Sequence, residues 1–457
     1  MYDYLFELCS TLATQCPDVM VKMFAYYSGM TRKPPTLPAG KAFPKNLIVW
    51  FCTVEEALNV DWNHPLNTSR SLYDDLLNWR KLTPHLWTWC YPNQYGNVGA
   101  GYLPSGVVER LVTDIRLMKQ AGCEGVYYEF DSPSVAGGNG FTELQIYLYC
   151  KLTQDVNSDV PALITEFTDY QYGAAAPLVR KYRDELEAAQ RALKVPMTMW
   201  PSVLDFYGQH AYLSLENILR WQGYFDRMEK DVAADARRLA NVRRLRRALE
   251  FATLARWNEL ANKHPGIFTD YRVHEGRLGK MSAGEKAVVD DFETFIKIGG
   301  KAKPLPPPFD GMAPARVQRF IPINGRGNKH VIEDDAAFGY AATVDLPDFP
   351  FNFGFYQQDT KKAGPQRTLK AGDIKPNTYQ LHKLGEIEVT PSCLVWFSAK
   401  SWGTSLDVGN RLYEAGADNA HDVYVSLKFS GPSYGGKEKE DQVLCDQIIF
   451  VKKPAKQ

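Results

Sequence analysis

Glu129 and Asp131 stand two residues apart in the run GCEGVYYEFD (122–131). Side chains alternate faces along a strand. If Val126 to Asp131 is one buried β-strand, then Tyr127, Glu129 and Asp131 share one side and Val126, Tyr128 and Phe130 the other. Two carboxylates and a phenol at a strand end suit cleavage of a glycosidic bond. One acid protonates the leaving oxygen while a second carboxylate acts as nucleophile or base. Tyr26, Tyr27, Trp89, Tyr91 and Asn93 fall at other candidate strand ends, and aromatic rings there could stack on the apolar face of a pyranose. Neighbours two apart lie roughly 6.5–7 Å apart at the backbone, a short span for flanking one bond. A partner acid is therefore sought on another strand, where Glu55 and Asp61 are within reach. The structural alternative is that Glu129 and Asp131 cap the next turn or pair with a basic residue.

The elements that would hold these groups follow from apolar spacing. Asp3 to Gln15 reads as a helix, with Leu5, Leu8 and Leu12 on one face. Strands are expected at Val19 to Tyr27, Asn46 to Cys52, Leu86 to Tyr91 and Val126 to Asp131. Helices are expected between them at Ser69 to Leu82, N-capped by Ser69, and at Ser105 to Ala121, stopped by Gly122. This alternation argues for parallel βαβ units. Four strands are half of a closed eight-stranded β/α barrel, in which strand C-terminal ends converge on one mouth. Phe141 to Thr153, Asp159 to Tyr172 (capped by Asp159, with Pro161 in its first turn) and Ala174 to Leu193 read as further helices. A long helical region then runs from Tyr212 to about Lys263. Its Arg237, Arg238, Arg243, Arg244, Arg246 and Arg247 read as a solvated face pairing with acidic neighbours.

A Pro-rich stretch, KAKPLPPPFDGMAP, marks a linker at 298–315. Beyond it, short β-rich runs at Arg319 to Ile323, Phe338 to Val344, Tyr379 to Val389, Cys393 to Ala399, Val423 to Phe429 and Val443 to Val451 read as an all-β, jelly-roll-like sandwich. The expected organisation is thus α/β: a half-barrel at 1–195, a helical extension at 196–297, the linker, and a sandwich at 316–457 resembling a carbohydrate-binding module. Within the sandwich Trp396 reads as core. Trp402, in the turn SWGTS, is the candidate for a second sugar platform.

Composition narrows the partners. Lys+Arg and Asp+Glu each number 53 in 457 residues, so no net field recruits nucleic acid or an anionic membrane. Eight cysteines show no ligand spacing, and neither a metal nor a cofactor is expected. No run is long enough to span a bilayer, and no secretory leader is evident. The opening MYDYLFELCSTLATQC starts abruptly, as expected of a chain whose upstream part is missing. In that case a missing barrel half, or a second copy, would cover the open edge.

The segments WCYPNQYGN, YLPSGVVERLVTDIRLMKQAGCEGVYYEFD and ELQIYLYCKLTQDVNSDVPALITEFTDYQYGAAAPLVRKYRDELE resemble the bacterial family named domain of unknown function 4838, over about residues 1 to 195. The resemblance implies the C-terminal half of a glycoside-hydrolase-type TIM barrel, akin to hexosaminidases and α-glucuronidases. It also implies carbohydrate substrates, uronic-acid- or amino-sugar-containing chains among them, a role in polysaccharide degradation, and a secreted or periplasmic setting. Cys90 stands where the resemblance leads one to expect a polar or ionisable side chain. Three readings compete: a glycoside hydrolase, a non-catalytic carbohydrate-binding protein, and a structural surface component.

Overall fold

The computed structural model describes residues 2–69, 71–95, 99–130, 140–201, 204–206, 208–298, 305, 307–312, 317–320, 331–333, 340–343, 350–398, 404–431 and 442–454. The chain divides into two compact units. The first comprises Met1–Pro201, Gln209–Arg256 and Phe268–Lys286; the second comprises Ser202–Gly208, Trp257–Ile267 and Ala287–Gln457.

The first unit is built on a parallel sheet of four strands in the order β1-β2-β3-β4: Val21–Ala25, Leu47–Cys52, His85–Cys90 and Gly125–Tyr128. β1 and β2 lie within their expected segments, trimmed at one or both ends, whereas β3 and β4 each start one residue before the expected segment and stop short of its end. The intervening helices are α1 (Tyr2–Gln15), α2 (Pro65–Thr68), α3 (Leu72–Leu82) and α4 (Glu109–Gln120). Ser69 does not cap α3; it closes the short α2, and α3 starts after Ser71 in the left-handed region at φ 55°. The reason is local. Pro65 opens a turn capped by His64, whose Nδ1 accepts from Leu66 N–H at 3.3 Å and whose carbonyl accepts from Asn67 N–H at 2.8 Å, and the helix restarts after it.

Alternation gives the sheet two unlike faces. Val49, Phe51, Leu86, Thr88, Cys90 and Tyr128 are buried on the helix-covered face. Tyr128 and Phe130 there pack against Tyr149 at 5.5 and 5.7 Å, from α5 (Thr142–Gln154). The helices continue as α6 (Val160–Tyr172), α7 (Ala176–Arg191), α8 (Leu215–Asp231) and α9 (Ala236–Ala255); α10 (Trp257–Lys263) belongs to the second unit, α11 (Tyr271–Arg277) to the first, and α12 (Ala283–Ile298) passes from the first to the second at Ala287. The α6 cap is the expected one, Asp159 accepting the Ala162 N–H at 3.1 Å. The arginines of α9 pair as expected, Arg243 with Glu229 and Arg244 with Glu143, both at 3.0 Å. Arg246 is instead buried against Glu250 at 2.6 Å.

The second unit carries antiparallel sheets. Its strands are β5 (Val317–Phe320), β6 (Val331–Glu333), β7 (Tyr340–Thr343), β8 (Phe351–Gln357), β9 (Lys362–Leu369), β10 (Gln380–Glu388), β11 (Cys393–Phe397), β12 (Thr404–Asp407), β13 (Ala420–Ser430) and β14 (Gln442–Lys452). One sheet runs β10-β13-β14-β7-β6, with β5 also on β14; the other runs β12-β11-β8-β9. Phe351, Phe353, Phe355, Val395 and Phe397 of one sheet share a core with Val423, Val425, Ile448 and Phe450 of the other. β6, β8, β9 and β12 were not anticipated; the expected linker falls largely outside the described residues. Trp396 is not core. Cys393, Val395 and Phe397 point inward, so Trp396 takes the opposite face. It lies over Gly354, where an added Cβ would sit 2.7 Å from the indole.

Candidate functional site

The other face of the parallel sheet is paved with rings, row by row. Register pairs Phe24 with Trp50 and Trp50 with Trp87, and Trp87 with Gly125. One row further along, Cys52 pairs with Trp89 and Trp89 with Tyr127. The rings touch: Phe24 stacks on Trp50 at 5.5 Å, Trp50 meets Trp89 at 4.8 Å, and Trp89 meets Tyr127 at 4.7 Å. Trp87 can lie flat only because residue 125 has no side chain, since a Cβ there would approach the indole to 2.7 Å. Toward the strand N-termini, Lys22 Nζ sits 4.9 and 4.6 Å from the Trp50 and Trp87 rings, a cation–π contact.

At the C-terminal ends this paving meets a carboxylate. Glu129 follows β4, its N–H continuing the ladder to Cys90 O at 2.9 Å. Its Oε2 accepts the Trp89 indole N–H at 2.9 Å, and its backbone carbonyl accepts the Tyr95 hydroxyl. Tyr91 continues the series beside Trp89 at 6.5 Å and is hydrogen-bonded to Tyr26. Tyr26 in turn meets Tyr27 edge-on at 4.7 Å. The sheet thus brings together Glu129, Trp89, Tyr91, Tyr127 and Tyr26, with Tyr27 at the rim. Asn93 lies beneath, buried, its amide paired both ways with Gln145 at 3.3 Å. Asp131 and Trp402 lie outside the described residues. Sequence reasoning missed Phe24, Trp50, Trp87 and Tyr95. The parity of Lys22, Phe24 and Tyr26 along β1, and of Trp50 and Cys52 along β2, was the signal available.

Electrostatics keep the thiol and phenol neutral. Burial, then the Glu129 charge, pushes the Cys52 thiol up to about 12. Burial, then the Tyr26 hydrogen bond, raises the Tyr91 phenol as well. Both are therefore donors at neutral pH. The two other acids in reach are occupied. Glu55 accepts from Ser28 N–H at 2.7 Å and pairs with Arg32 at 2.6 Å. Asp61 pairs with Arg191 at 3.1 Å.

Beneath the sheet lies a buried ion network. Arg110 of α4 pairs with Glu56 at 2.6 Å and Asp114 at 3.1 Å. Glu56 also accepts from Thr53 Oγ1 and Trp62 Nε1, each at 2.7 Å. Cys90 faces this network, and burial raises its thiol far above the usual value. Position 90 therefore does not look onto the ring-paved face.

Residues 1–184 match a family described as Domain of unknown function (DUF4838). The DUF4838 region contains all four parallel strands and every residue from Phe24 to Glu129 just described. No curated protein and no solved structure matches the chain. Among the described residues no helix is long and apolar enough to cross a membrane.

Proposed function

We propose that the C-terminal end of the parallel sheet is a carbohydrate-binding site of glycoside-hydrolase type. In this reading β1 to β4 are half of a TIM-type barrel and the antiparallel sheets form a jelly-roll-like sandwich. The observation that carries it is Glu129 held by Trp89 among Tyr26, Tyr91, Tyr95 and Tyr127. Rings take the apolar face of a sugar, and the carboxylate and phenols take its hydroxyls. Arg32 and Arg191 are committed to Glu55 and Asp61. That favours neutral or amino sugars over uronic acids, whose carboxylates would meet Glu129.

Hydrolysis would need a second carboxylate. Asp131 stays a candidate for orienting Glu129, and Trp402 for a second platform. The ion pairs of Glu55 and Asp61 favour binding without turnover. Titration calorimetry against neutral, amino-sugar and uronate oligosaccharides, with product analysis of each mixture, tests the site. Glu129→Gln should lose roughly 10²-fold or more in rate if Glu129 transfers a proton. Unchanged binding after Glu129→Ala together with Trp89→Ala would remove the site.

A further inference from the structure

Trp200 is 58% exposed, a large apolar side chain left in water. Burying a large apolar side chain is favourable, so its exposure needs a reason. It is not on a loose tail. Leu58 N–H donates to Met197 O at 2.8 Å and Tyr95 N–H to Met199 O at 2.8 Å. Met197 N–H donates to Asn59 Oδ1 at 2.9 Å, and Gln94 Nε2 to Thr198 O at 3.0 Å. Met197 and Met199 are buried while Trp200 is exposed, so the same stretch that anchors two methionines presents the indole outward. Pro196 and Pro201 flank the stretch and limit its backbone freedom.

The ring does not point away from the site. It lies 5.4 Å from Tyr95, which lies 6.3 Å from Tyr91, which lies 6.5 Å from Trp89. Tyr95 also gives its hydroxyl to the Glu129 carbonyl. The aromatic series thus runs without a break from the Glu129 carboxylate to an exposed indole on a pinned segment. Trp200 lies beyond the residues that match DUF4838.

We infer that Trp200 is the platform of an outer subsite, stacking on a sugar unit further along an oligosaccharide whose first unit sits at Glu129. The inference rests on the carbohydrate reading of that site. A platform held before binding loses little freedom when the ligand arrives, so its contact area appears as affinity. The outer subsite therefore selects for chain length.

The test is calorimetry with glucosamine oligomers and N-acetylglucosamine oligomers of one to four units, on the full chain. The wild type should bind longer oligomers more tightly. Trp200→Ala should lose about tenfold in affinity for the tetramer, about 1.4 kcal/mol, and flatten the length dependence. Trp200→Phe should restore part of it. A Trp200→Ala variant that is folded by circular dichroism and keeps the full length dependence would overturn the outer subsite while leaving the Glu129 site standing. Binding of no oligomer by the wild type would overturn both.

Discussion

The Trp89 indole N–H donates to Glu129 Oε2 at 2.9 Å, a side-chain link from β3 beside the backbone bond from Glu129 N–H to Cys90 O. The link fixes the carboxylate against the ring that a sugar would cover. It also makes the pair separable by mutation. Glutamine still offers an oxygen to the indole, whereas alanine takes the acceptor from a half-buried donor, a loss of about 1 kcal/mol. Glu129→Gln should keep thermal stability close to wild type, and Glu129→Ala should lower it. Equal melting temperatures for the two variants would mean that the bond does not hold the carboxylate in solution.

Two glycines answer two tryptophans in the same way. Trp87 covers Gly125 in the parallel sheet, and Trp396 covers Gly354 in the antiparallel one, each with 2.7 Å to an added Cβ. Gly125→Ala should cost about 1–3 kcal/mol through overpacking. Adding Trp87→Leu should recover part of that loss in urea denaturation. Additive rather than compensating effects in the double variant would argue against the steric account.

How far these pairs were legible differs by level. Strand existence in β1 to β4 followed from apolar runs bounded by turn residues, and strand parity separated Tyr127 and Glu129 from Tyr128. The ends were not legible, because the register with neighbours decides where a ladder stops. Trp396 was misread for the same kind of reason. CLVWF is apolar at every position, so composition cannot say which alternate set faces the core. The partners of Glu55 and Asp61 were out of reach too, since Arg191 meets Asp61 from 130 residues away. Trp200 gave no periodic signal at all.

Arg110 is buried between Glu56 and Asp114. Removing one member of a buried ion network leaves uncompensated charge, at about 3–5 kcal/mol. Arg110→Met should therefore lower the urea midpoint strongly. Glu56→Gln with Asp114→Asn in the same chain should return much of it, because the stranded charges are then gone. A single variant with an unchanged midpoint would show that the network holds no structural charge.

His382 on β10 supplies a pH prediction for the second unit. The ring is buried, lies 6.2 Å from Phe353, and its Nε2 has no hydrogen-bond partner among the described residues. Burial, then the charge of Arg367, lowers its pKa to about 4, with Asp373 opposing. The unfolded chain takes up this proton near 6.5. Between those values the unfolded state binds a proton that the folded state refuses, so stability rises with pH across the window. Acidification from pH 7 to 4 should remove up to about 3 kcal/mol through this one group, with no further loss below. Carboxylates titrate in the same range, so the informative quantity is the difference between wild type and His382→Phe. Hydrogen exchange at Val425, the register partner of His382, should show the wild type losing protection relative to the variant as pH falls from 6.5 to 4. A difference that stays constant with pH would mean that His382 is protonated in the folded chain.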